Sequence, residues 1–214
     1  MKKIASFISA MTLVAFTAGL TSCDSKAKLA RDIEGTWAST APKKVKVINE
    51  LDATEMSMIQ FNAPVPGSES TDGVVNYAFV FTLTGAMPPS DAIVEPYSFT
   101  ATTLASVSGT WKVVDDDEVA LDFDPESFSA YVDPAGILLR DNILSGENAA
   151  EVDSVKPQLS AKIQAMLDTQ VKDYLFSIKK IDDIHIIDKD EMNCEILDKE
   201  CVFHRQVIKE TMPE

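Results

Sequence analysis

With 214 residues, 34 acidic and 19 basic side chains, the chain carries a formal net charge of −15. Its length suits one domain with a real hydrophobic core, and its charge excludes nucleic-acid binding, because it repels phosphate backbones and no Lys/Arg cluster offsets it. The same surface is repelled by anionic lipid headgroups, so any membrane attachment has to come from something other than charge.

The first 23 residues combine Lys2 and Lys3, an uncharged apolar run from Ile4 to Leu20, and the sequence Leu20-Thr21-Ser22-Cys23. The run sits at the bottom of the spanning range and has the flanks of a signal sequence, which argues against a permanent transmembrane helix. The segment resembles a bacterial lipoprotein signal peptide, with Leu20 to Cys23 as the lipobox. The resemblance implies cleavage before Cys23, diacylation of its sulfur with palmitate-like chains and, usually, acylation of its new amino group. The mature chain would then keep 17 basic and 34 acidic residues, or −17. Two or more acyl chains anchor stably where one does not. The expected organisation is a signal peptide at 1–22, a lipidated Cys23 with a polar tether to residue 32, and one domain over 33–214. The expected location is the cell envelope, on the outer membrane.

Composition changes at Ile33-Glu34-Gly35-Thr36-Trp37, where strand-like text begins. Lys44 to Ile48 alternates charged and apolar residues, the period of a half-buried strand. Glu55 to Phe61 is a weaker strand, closed by the loop containing Pro64 and Pro66. Val74 to Thr84 is the clearest: Val75, Tyr77, Phe79, Phe81 and Leu83 share one face, with Asn76, Ala78, Val80 and Thr82 on the other. Pro88-Pro89 places a loop over 85–91. Tyr97 to Ala105 reads as a strand. Gly109 to Val114 and Val119 to Asp124 read as a hairpin around Asp115-Asp116-Asp117-Glu118. Short strands follow at 127–132 and 136–139.

A helix over about 154–179 interrupts this rhythm, with Ser154 as N-cap and Pro157 in the first turn. Leu159, Ile163, Met166, Leu167, Val171, Tyr174, Leu175 and Ile178 form one apolar stripe, which either packs on the strands or receives a partner. Three more strands are expected at 184–188, 192–197 and 201–208. The expected fold is therefore mainly β: an antiparallel meander of about eight to ten strands closing into a barrel, with one long helix before the last strands.

Gly35-Thr36-Trp37, at the opening of the first strand, resembles the Gly-x-Trp signature of lipocalin-like (calycin) proteins. Its position just after a lipobox resembles the lipocalin-like lipoproteins of Bacteroidetes-type bacteria. The resemblance implies a tight turn at the glycine, an indole packed across one end of a barrel, and a barrel interior able to hold a ligand. Two departures stand against simple eight-stranded topology: strands follow the helix, and the second lipocalin motif is missing. Gly109-Thr110-Trp111 repeats the pattern without matching flanks.

Trp37, Tyr77, Phe79, Phe81, Tyr97, Phe99 and Trp111 either line an apolar cavity or fill a core. Asp115, Asp117 and Asp122, in the acidic hairpin, supply hard oxygen atoms suited to calcium, or else form a solvated turn. Cys194 and Cys201 face each other if a turn centres on Leu197-Asp198, which allows a disulfide. Free thiols, or a zinc site shared with His185 and His204, are the alternatives, although the usual zinc spacings are missing. No nucleophile elbow, P-loop or metalloprotease motif occurs, so the sequence reads as non-enzymatic, with no cofactor expected. Two functions remain: an anchored protein holding a small apolar or amphipathic ligand, or an envelope module that touches a protein or glycan through loops such as 62–73 and 85–96. A hydrolase with an unrecognised site is a third.

Overall fold

Alternation of inward apolar and outward polar residues forces most of this chain into strands that must bury one face. The computed structural model describes residues 25–66, 69–87, 97–139 and 149–206. Residues 1–24, which hold the expected signal peptide and Cys23, lie outside them, as do parts of the 62–73 and 85–96 loops. The strands are β1 (Gly35–Ser39), β2 (Lys43–Val45), β3 (Asp52–Asn62), β4 (Asp72–Met87), β5 (Tyr97–Val113), β6 (Val119–Phe123), β7 (Ser129–Leu139), β8 (Lys180–Ile187), β9 (Glu191–Glu195) and β10 (Glu200–Gln206). All pairings are antiparallel, and eight strands close a ring in the order β1-β10-β9-β8-β6-β5-β4-β3, with β3 returning to β1. β2 lies on the edge of β3, and β7 lies beside β6 along β5, both off the ring. The expected meander is thus kept by β3 to β6 and by β8 to β10, and broken between them.

Inside the ring, Phe79 and Phe81 of β4 stand opposite Ala105 and Thr103 of β5, so large rings meet small side chains. The aromatic row predicted for β4 points inward with Tyr77, Phe79 and Phe81 all buried. The two strands expected at 97–105 and 109–114 are one strand of 17 residues. Gly109 lies where its pairing passes from β7 to β6. A Cβ there would approach the Asp122 carbonyl to 2.1 Å, which explains the glycine, and because Gly109 to Trp111 lie inside β5 the second Gly-Thr-Trp does not open a strand. The segments 127–132 and 136–139 likewise join in β7.

The helix begins earlier than expected, with Ser154 and Pro157 inside it rather than at its cap and first turn, and runs as α2 (Ala149–Met166), a π turn (Leu167–Val171) and α3 (Lys172–Ser177). Its buried residues Leu159, Ile163, Leu167, Val171 and Leu175 repeat every four positions. In an α-helix such a repeat drifts by about 40° per step. The wider π turn takes up that drift and keeps the stripe facing inward. Ser160 and Gln164 donate to the Val132 and Ala130 carbonyls of β7, so the helix also covers that strand's outer edge.

Residues 25–33 are helical (α1) rather than a loose tether. Leu29, Ala30 and Ile33 recur on one side and are buried in the core, which fixes the segment to the ring. At its end Gly35 has φ +117°, open to glycine, and a Cβ there would lie 2.8 Å from Arg205 Nη1. Trp37 is fully buried and donates from Nε1 to the Ile33 carbonyl at 2.7 Å. The Arg205 guanidinium stacks 4.1 Å from the indole and donates to the carbonyls of Asp32, Glu34 and Lys189. This end of the ring is closed.

Candidate functional site

The other end differs because β3 breaks its own pattern. Ala53, Glu55, Ser57, Ile59 and Phe61 share the inward phase, so a carboxylate and a hydroxyl enter an otherwise apolar interior. Glu55 is only 8% exposed. Burial pushes its carboxyl above the usual carboxylate range, opposed by the hydrogen bond from Tyr174 and by the charges of Lys43 and Lys199. The Tyr174 hydroxyl, one turn beyond the π turn, reaches both carboxylate oxygens at 3.1 and 3.2 Å. Burial, followed by the Glu55 charge, pushes the Tyr174 phenol far up, so Tyr174 stays protonated and serves as a donor. Tyr77, fully inside, shares a hydrogen bond with the Ser57 side chain, and burial raises its phenol as well.

Above these groups lies a recess of about 240 Å³, walled by residues 39–43, by Ile196 and by residues 200–203. Lys43 Nζ stands on its rim, donating to the Glu200 carbonyl and approaching Cys201 Sγ at 3.1 Å. The Ser39 hydroxyl accepts from the Ser57 amide, tying the end of β1 to the carboxylate strand. A carboxylate can accept about four hydrogen bonds, and the Tyr174 hydroxyl supplies only one proton to it. The recess therefore presents a buried acceptor to whatever enters it. Its volume lies below the usual 300–1,000 Å³ of a drug-sized site, which limits the guest to a small molecule or to the head of a longer one.

Of the seven aromatic residues nominated for a cavity wall, Tyr77 borders this recess. Trp37, Phe79, Phe81, Phe99 and Trp111 are at most 1% exposed. They pack on one another and on their neighbours, as in the Phe79–Phe81 stack at 5.8 Å and the edge-on Phe61–Trp111 pair at 5.8 Å. These side chains are core rather than cavity wall. Tyr97 lies on β5, and its side chain is outside the described residues.

Cys194 and Cys201 are directly opposed, as the turn at Leu197-Asp198 predicts, but both carry free thiols. Ile196 and Lys199 exchange both backbone hydrogen bonds. Two residues further along, Cys194–Cys201 is again a hydrogen-bonded pair, whose Cα spacing of about 5.5 Å lies within disulfide range, so the two thiols are opposed but unbridged. Burial, with a smaller contribution from Cys201, pushes the Cys194 thiol well above its ordinary value, so it is a poor nucleophile.

Among the described residues no group of three or more His, Cys, Asp or Glu is placed to hold a metal ion. For calcium, Asp115 turns its carboxylate to the Asp116 amide, and Asp122 lies exposed on β6 opposite Thr110. Asp117 is raised by partial desolvation and then by the neighbouring Asp116 and Asp183. For zinc, His204 faces Glu191 at 3.3 Å instead of joining the two cysteines.

Sequence reasoning missed Glu55 and Tyr174, the two groups that define the recess. The signal was present in β3, where Glu55 falls in phase with Ile59 and Phe61. Comparison with family models, curated proteins and solved structures finds no match for this chain.

Proposed function

We propose that this chain is a lipid-anchored envelope protein of lipocalin-like architecture, whose open end seats a small amphipathic ligand. The observation that carries the reading is the Glu55–Tyr174 pair buried at the base of a recess. A guest with a hydrogen-bond donor, such as an alcohol, amide or amine, would satisfy the remaining carboxylate lone pairs. Its apolar part would lie against Pro42, Ile196 and Phe203 on the recess wall. This narrows the ligand expected from sequence: the seat is shallow and polar at its base, since the deep interior is filled by aromatic rings and by the helix stripe.

The lipocalin-like reading is supported by the closed ring of eight strands, by Gly35 at a positive φ, and by the buried Trp37 across one end. Anchoring is supported by the lipobox alone. If Cys23 carries the lipid, it precedes the described helical residues 25–33 by two positions, the closed end lies next to the membrane, and the recess at the far end of β1 faces away from it.

Native mass spectrometry on a soluble form, with residues 1–23 replaced by a cleavable secretory signal that lacks a lipobox, purified from the envelope compartment, tests the ligand. The expected result is a retained small molecule in the wild type and its loss in Tyr174→Phe and Glu55→Gln. Ligand-free wild type, unchanged in melting temperature after incubation with envelope extracts, overturns the reading. For the anchor, Cys23→Ser should shift the full chain from the membrane fraction to the soluble one.

A further inference from the structure

We infer that the outer face of β3, β4 and β5, extended by β7, is a self-association surface that receives a second copy of this chain. Four exposed side chains form an unbroken row straight across these strands: Met56, Val80, Leu104 and Tyr131, each the register partner of the next. Leu104 and Tyr131 are 55% and 58% exposed. One step along, Ala38, Met58, Ala78, Ser106 and Ser129 form a parallel row of mostly small residues. Together the two rows shape an open groove of about 600 Å³ flanked by Met56, Met58, Leu104 and Tyr131. Large residues standing beside a hollow of small ones give a surface that can interdigitate with itself under a two-fold axis.

Charge identifies the occupant. The sixteen outward positions formed by the even-numbered residues of 54–60, 74–84 and 100–110 contain no charged side chain. A surface of ordinary composition would place about four or five charges there. Charge returns around these positions, with Asp52 at one end, Asp72 and Lys112 at the other, and Lys44, Asp122 and Asp133 on the flanking strands β2, β6 and β7. Two molecules of net charge −15 repel each other wherever their acidic surfaces meet, and this face lets them touch without that cost. A basic partner would find a single carboxylate, Asp133 at the β7 edge, and an acidic one would be repelled by the surroundings. The matching surface is uncharged, with apolar side chains at its centre and hydroxyls and amides around them, which is what the face itself offers.

The size is adequate. Four strands about 4.8 Å apart, with the overhang of side chains, are about 19 Å wide, and the uncharged stretch is about 28 Å long. That gives about 500 Å² per copy and about 1,000 Å² for the pair, the lower limit for a specific interface. Two sheets stacked face to face at about 10 Å would bury both rows.

The test uses the full chain in the membranes of cells that co-express two differently tagged copies. A photoreactive phenylalanine analogue replaces Leu104, and in a control it replaces Val202, which is exposed on β10. The expected result is a product of twice the chain mass, carrying both tags, from position 104 and not from 202. Val80→Glu, at an exposed position where folding is not threatened, should lower the yield of that product at least tenfold. A missing product, a cross-link to lipid or to a different protein, or a yield unchanged by Val80→Glu overturns the inference.

Discussion

Where β1 begins, the polar atoms around Trp37 are backbone carbonyls, and each has a donor from Arg205 or from the indole itself. Where β1 ends, a carboxylate is buried with one hydroxyl as its partner. The same strand thus joins one end whose hydrogen bonding is complete to another whose hydrogen bonding is left open. Interiors tolerate the second arrangement only at a cost in stability, because a buried acceptor without full partners loses its hydration and is not fully repaid. The closed end is therefore where truncation should damage the fold, and the open end is where the right substitution should strengthen it.

The largest effect is expected from Trp37→Ala. The indole is fully buried, and removing it leaves a cavity beneath the Arg205 guanidinium. A loss of about 3–5 kcal/mol is expected in urea unfolding, with the melting temperature falling on the order of 10 °C. A loss below 1 kcal/mol would mean that α1 and Trp37 do not close the ring, and the contrast between the two ends would collapse.

Next comes Arg205→Ala, which removes the donors serving the Asp32, Glu34 and Lys189 carbonyls and uncovers the indole face. About 2 kcal/mol should be lost, since carbonyls left without donors keep their desolvation cost. Arg205→Lys should recover less than half of this, because one ammonium cannot serve three spread carbonyls and stacks poorly. Full rescue by lysine would show that charge rather than the planar donor fan holds the closed end.

Much of this contrast could be read from the chain, and the unread parts have identifiable causes. The inward row of β4 was legible because five large apolar residues, three of them aromatic, alternate with Asn76, Ala78, Val80 and Thr82. The helix was legible because its stripe is long, though its π turn was not: a repeat of four residues reads as an ordinary helical face until drift is counted. The role of α1 was hidden because Ser25-Lys26-Ala27-Lys28 looks like a linker, and only Leu29, Ala30 and Ile33 form its buried side. Ser106-Val107-Ser108-Gly109 resembled a break in β5 because the outward residues there are small and polar. The recess was hardest, since each half is uninformative alone. Glu55 reads as an outward residue until the phase of β3 is fixed by Phe61, and Tyr174 reads as one more member of an apolar stripe. Only the folded ring brings them together, 119 residues apart in sequence. The cysteine pairing was legible from its turn, but the alternation of hydrogen-bonded and open pairs depends on where the turn closes.

The smallest effect, opposite in sign, is expected from Glu55→Gln. The amide keeps an oxygen for the Tyr174 hydroxyl but cannot ionise. Burial raises the folded-state value of Glu55 above that of the unfolded chain, so the folded protein holds this proton more tightly. Stability from this group is present below about pH 4.3, the unfolded carboxylate value, and is lost as pH rises through the folded value. The glutamine variant does not experience that loss. Its melting temperature should therefore match the wild type near pH 4 and exceed it by a few degrees at pH 7, with the gap opening between. Lys43 and Lys199 oppose burial from the rim, so adding Lys43→Ala to the wild type should widen the gap by removing a charge that steadies the carboxylate. Parallel melting profiles from pH 4 to pH 8 would show that Glu55 is ionised at no cost, and the open end would then be as well satisfied as the closed one.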